Sequence, residues 1–137
     1  MNLRRYHLDT NVLLRFFTGE PPEMFAAASK LIGEAERGEV VLDLSPMVLA
    51  ETAFTLESFY QRPRKEVAKT LLEFVKRSGV RLAERDRMLG ALERVQSARV
   101  HLVDAYLAAL ASETGFAVAS FDRDLDKFKD LTRFEPI

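Results

Sequence analysis

Four carboxylic acids stand at places where an acid needs a reason. Asp9, with Thr10 and Asn11, breaks an apolar run within RRYHLDTNVLLRFF (residues 4–17), which resumes at once as Val12-Leu13-Leu14. Asp122 follows a second apolar run, in AVASFDRDL, while Glu51 lies within SPMVLAETAF and Asp104 within VHLVDAYLAALA. Three or four oxygen ligands from separate elements make a site for one or two magnesium-like ions. Such ions lower the pKa of bound water and stabilise charge on a phosphodiester in transit. That chemistry needs no Cys, no His cluster and no nucleophilic Ser. The composition agrees, because the 137-residue chain has no Cys and only two His, His7 and His101. Disulfides, thiol-ligated zinc, iron–sulfur centres and multi-histidine sites are excluded. A metal here is held by oxygen, which suits magnesium or manganese better than zinc or copper.

Each acid also has an ordinary use. Asp9 or Asn11 would cap a following helix, Asp104 would complement a helix dipole from the first turn, and Asp122 would make an Asx-type turn. Glu51 is harder to place. Its helical neighbours three and four residues away are Met47, Val48, Phe54 and Thr55, mostly apolar where a solvated Glu has polar company. Asp104 repeats the pattern with Val100, Leu107 and Ala108, and only His101 is polar. Both acids are therefore expected to point inward, where an isolated carboxylate is costly and a cation makes it tolerable. Ala50, Ala53, Ala105, Ala108 and Ala109 flank them and permit close backbone approach. Asp124 and Asp126 follow Asp122, and spacing leaves open which of the three faces the site. Thr10 and Ser120 offer hydroxyls to a phosphate or a coordinated water; their plain uses are at a helix start and a strand end.

The elements that must position these residues follow from periodicity. Strands are read at Leu3–Leu8, Val40–Leu42, Val80–Leu82 and Phe116–Ala119, with an edge strand around Thr132–Phe134. Helices are read at Asn11–Thr18, from Pro21-Pro22 to before Gly38, from Ser45-Pro46 to about Tyr60, and from Arg62-Pro63 to Gly79. Two more are read at Glu84–Ser97 and Leu102–Gly115, with a short one near Leu125–Phe128. Short apolar strands separated by helices predict an α/β fold with a central parallel sheet of four to five strands. Ligands of such sheets bind at the carboxyl ends of the strands, which is where Asp9 and Asp122 fall. One domain is expected, burying roughly 70% of its unfolded surface. Of Phe16 and Phe17, one is expected in the core, because neighbours on a helix do not face the same way.

The same residues resemble a known family. Asp9-Thr10-Asn11-Val12-Leu13-Leu14-Arg15, Ser45 through Glu51, Asp104-Ala105 with Ala108-Ala109, and Ser120-Phe121-Asp122 occur in the order seen in PIN-domain ribonucleases. The chain length resembles the VapC-type toxins of toxin–antitoxin pairs. The resemblance implies that Asp9, Glu51, Asp104 and Asp122 are the metal-binding and catalytic quartet, with Thr10, Asn11 and Ser120 around them. It also implies magnesium or manganese, an RNA substrate, a homodimer and a cognate antitoxin. Ser120 stands where Thr is commoner in the family, which keeps the hydroxyl.

Two other readings compete. A magnesium-dependent phosphatase or receiver domain also places acids at strand ends. The phosphatase needs a second Asp two residues after its nucleophile, where Asn11 stands, and the receiver's paired acids and Lys are not evident. A non-catalytic PIN fold that binds protein has no reason to keep clustered acids. The formal net charge of −1 gives no bulk attraction to nucleic acid. Two basic runs, Arg62, Arg64, Lys65 and Lys69, and Arg81, Arg85 and Arg87, read as solvated helix faces. No membrane span or signal peptide is read, so a cytoplasmic protein is expected.

Overall fold

The computed structural model describes residues 3–137. A parallel sheet of three strands, in the order β1-β2-β3, holds β1 (Arg4–His7), β2 (Val40–Leu44) and β3 (Val80–Leu82). Leu42 of β2 pairs with Tyr6 on one side and Val80 on the other. Central placement explains the run of Val40, Leu42 and Leu44, all buried. Two further strands, β4 (Val118–Ala119) and β5 (Arg133–Phe134), pair in parallel as a separate small sheet. The sequence therefore anticipated five strands but not their division among the described residues into two sheets. Each of the last two strands is only two residues long, so neither carries the long apolar pattern that reveals a sheet neighbour.

Among the described residues six helices cover these strands: α1 (Thr10–Thr18), α2 (Pro22–Glu36), α3 (Pro46–Ser58), α4 (Arg64–Val75), α5 (Arg85–Ser97) and α6 (Leu102–Thr114). A short 3-10 helix (Arg123–Lys127) follows β4. Leu13, Leu49, Leu56, Leu71, Phe74 and Leu92 are fully buried in the main core. Phe16 and Phe17 both pack against it, their ring centroids 6.0 and 5.4 Å from that of Phe74. The expectation of one core ring is corrected, since both are only partly buried and each lies against Phe74. A separate small cluster of Ala111, Val118 and Leu125, with Leu131 against it, supports the C-terminal strands.

The ends of the elements follow local chemistry. Ser45 caps α3, its Oγ accepting from the Val48 N–H at 3.1 Å, and Pro46 opens the first turn. Helix α4 stops at Val75, short of Gly79, which serves the connection into β3 instead. Gly79 has φ +84°, and a Cβ there would lie 2.4 Å from the Ala35 carbonyl oxygen. Its own carbonyl accepts from Leu42 at 2.8 Å, so the absent side chain lets β3 dock on β2 beneath α2.

Candidate functional site

Two of the four acids, Asp9 and Asp122, stand at junctions after strands, while Glu51 and Asp104 lie within helices. Asp9 follows β1 and caps α1, its Oδ1 accepting from the Thr10 N–H at 2.9 Å. Helix α1 thus begins at Thr10, one residue before the expected Asn11. Glu51 lies in the second turn of α3, the helix that leaves β2. Asp104 is in the first turn of α6. Asp122 follows β4, its Oδ1 accepting from the Asp124 N–H at 2.9 Å, while Ser120 Oγ accepts from the Asp122 N–H at 3.0 Å. The ordinary uses of Asp9 and Asp122 are therefore present, and each of these bonds engages Oδ1 alone.

The expectation that both helical acids point inward is corrected for Glu51, which is exposed. Its apolar neighbours are exposed as well: Met47 is 84% and Phe54 65% accessible. The apolar face of α3 around Glu51 is surface, and local periodicity does not distinguish that from core. Asp104 is half-buried, with Ala108 buried beside it. Burial raises its carboxyl above the ordinary range, and the charges of Asp122 and then Asp124 push it the same way, against the lowering influence of His101 and Arg64. The fold therefore places the Asp122 carboxylate within electrostatic reach of Asp104.

Three successive acids in the tail have different company. Asp126 is held by Arg133 at 2.9 Å, and Asp124 pairs with Lys127 at 3.4 Å. Asp122 has no ion pair among the described residues and acts on Asp104 more strongly than Asp124 does. Thr10 is buried at the start of α1, and Asn11 is exposed. Asn11 lines an apolar groove of about 410 Å³ between α1 and α2, with Val12, Arg15, Met24, Ala28 and Leu31.

An all-oxygen donor set with surplus negative charge at Asp104 has the chemistry of a hard divalent cation site. Among the described residues, however, no three His, Asp or Glu side chains stand close enough together to hold an ion as placed.

In a parallel α/β fold ligands bind beyond the carboxyl ends of the strands, where Asp9 and Asp122 stand. The PIN domain family matches residues 6–131, and the chain belongs to it. PIN domains are generally nucleases, which removes the phosphatase and receiver readings. No curated protein matches the chain significantly. No helix of the described residues is long and apolar enough to cross a membrane.

The sequence reading missed the grouping of Arg62, Arg64 and Lys65 with Arg99 around one cavity. The first three are adjacent in the chain and visible as a basic run. Arg99 joins them only through the packing of α5 on α4.

Proposed function

We propose that this chain is a magnesium- or manganese-dependent endoribonuclease and the toxin of a VapC-type toxin–antitoxin pair. Asp9, Glu51, Asp104 and Asp122 would hold the metal. The observation that carries the reading is the Asp104 carboxyl, raised by burial and by Asp122 within a PIN fold. A partly buried carboxylate beside a second acid is relieved by a bound cation. A bound divalent ion supplies an activated water and neutralises charge on the phosphodiester. The chain's own residues do the positioning. The Thr10 N–H orients Asp9, the Asp124 N–H orients Asp122, and the Ser120 hydroxyl fixes the turn between β4 and Asp122. Thr10, Asn11 and Ser120 would contact substrate or its solvent shell.

Two partners belong to the same proposal. The groove between α1 and α2, almost wholly apolar, suits one face of an amphipathic antitoxin helix. The exposed Met47, Phe54 and Val103 on α3 and α6 suit a second copy of the chain, giving a homodimer.

Asp9→Asn tests the chemistry cleanly, because Asn caps a helix as well as Asp does and the fold is kept. The variant should lose RNA cleavage in magnesium or manganese with an unchanged melting temperature. Full activity in the variant, or of the parent in EDTA, would overturn the metal mechanism.

A further inference from the structure

Beyond α3 the structure holds a cavity of about 480 Å³ whose walls are mostly basic. Arg62 comes from the connection into α4, Arg64 and Lys65 from the first turn of α4, and Val95 and Arg99 from α5 and the residues just after it. Glu57 is the one acid lining it. Arg64 Nε takes up that acid at 2.7 Å. Arg62 Nη2 donates to the Phe17 carbonyl at 3.1 Å, which anchors the side chain without cancelling its charge. Among the described residues, Arg62, Lys65 and Arg99 have no ion pair and share this one cavity; other unpaired cations, such as Lys30, Lys76, Arg81 and Arg85, lie outside it. On a chain of net charge −1, this is a local excess of positive charge around a concave surface.

The cavity adjoins the acids from two directions. Arg64 Nη2 stands 3.1 Å from His101 Nε2, and His101 is the cap residue of α6, whose first turn holds Asp104. On the other side, Lys127 Nζ donates to the Arg99 carbonyl at 3.2 Å and pairs with Asp124 at 3.4 Å. Carboxylates repel a polyanion, so a nuclease with acids at its centre needs its cations beside them. We propose that this cavity is a phosphate subsite that holds the backbone of the RNA strand away from the point of cleavage, through Arg62, Lys65 and Arg99. This rests on the ribonuclease reading. It adds which residues grip the strand and on which side of the acids it runs.

The experiment measures binding of a short labelled single-stranded RNA in EDTA, where no cleavage intervenes, across a series of salt concentrations. Lys65→Gln combined with Arg99→Gln changes two exposed side chains and should keep the melting temperature. Affinity should fall several-fold. The slope of log affinity against log salt should become shallower by about 0.7 for each lost contact, about 1.4 in total. Lys30→Gln with Lys76→Gln removes the same charge outside the cavity and should leave the slope intact. Equal binding and slope in the cavity pair and the parent, an equal loss in the control pair, or no binding by the parent would each overturn the subsite. So would unchanged RNA binding with loss of binding to a poly-glutamate peptide, which would assign the cavity to an acidic protein. Cleavage in manganese is followed separately. Cleavage by the parent with no effect of the cavity pair on binding refutes the subsite alone. No cleavage with the expected loss of binding refutes the nuclease reading and supports the anion site.

Discussion

Asp122 raises the proton affinity of Asp104, although the two acids sit at the ends of different elements, β4 and α6. Burial of Asp104 is the larger cause and the Asp122 charge the next. An acid whose folded-state pKa is raised destabilises the fold at pH above that value. The penalty fades as pH falls through the folded pKa, and is gone below the unfolded value of about 3.9. Asp104→Asn should therefore stabilise the metal-free protein at neutral pH, by on the order of 0.5 kcal/mol after solvent screening. Urea denaturation at neutral and acid pH measures it. A gain that persists unchanged at acid pH would show that ionisation is not its source.

Glu51 tests the metal differently, because it is exposed and its removal should barely change the metal-free protein. Metal that binds only the folded site raises the melting temperature of the parent. With Glu51 in the proposed quartet, that rise should shrink in Glu51→Gln. Thermal melts with manganese and with EDTA compare the two proteins. An equal manganese-induced rise in both would remove Glu51 from the site.

The tail is tied to α5 by Arg94. Its Nη1 donates to Asp130 Oδ1 at 3.0 Å, and its guanidinium lies 4.9 Å from the centroid of the Phe128 ring. The hydrogen bonds from Arg94 hold the Asp130 carboxyl down to about 2. A depressed acid contributes stability above its unfolded pKa and loses it as pH falls toward the folded value. Between about pH 4 and about pH 2, the parent should therefore lose stability that Arg94→Gln lacks from the start. Both acid limbs can be followed by urea midpoints, and parallel curves would deny the pair a role.

Gly79 and Gly115 separate two costs of adding a methyl group. Both have positive φ, +84° and +77°, but only Gly79 faces the Ala35 carbonyl, and nothing lies within 4 Å of a Cβ at Gly115. Gly115→Ala should cost about 1 kcal/mol of backbone strain. Gly79→Ala should cost on the order of 3 kcal/mol, because β3 must also move off α2. Equal midpoint shifts in urea would show that the close approach relaxes freely.

Much of this arrangement was legible in the chain. Ser45-Pro46, the apolar triplet at Val40 and the short Val80-Arg81-Leu82 strand act through neighbours a few residues away, and the elements they imply appear within a few residues of the expected bounds. Asp9 and Asp122 stand out in the chain because breaks in apolar runs are local signals too. Glu51 shows the limit. The apolar face around Met47 and Phe54 has the periodicity of a core face, yet it is surface, and only tertiary packing decides which. The split of the strands into two sheets and the meeting of Arg99 with Lys65 depend on contacts between distant segments, for which the chain holds no local mark.

The separate small cluster of Ala111, Val118 and Leu125 has a consequence for how the domain opens. It buries far less than the main core, so the segment carrying β4, Ser120 and Asp122 has its own lower cost of local opening. Three of the acids then belong to one cooperative unit and the fourth to another. Amide hydrogens of β4 and β5 should exchange with solvent sooner than those of β1 to β3. A cation bridging Asp122 to Asp104 would join the two units and slow that exchange, so completing the site would also fasten the tail to the body of the protein.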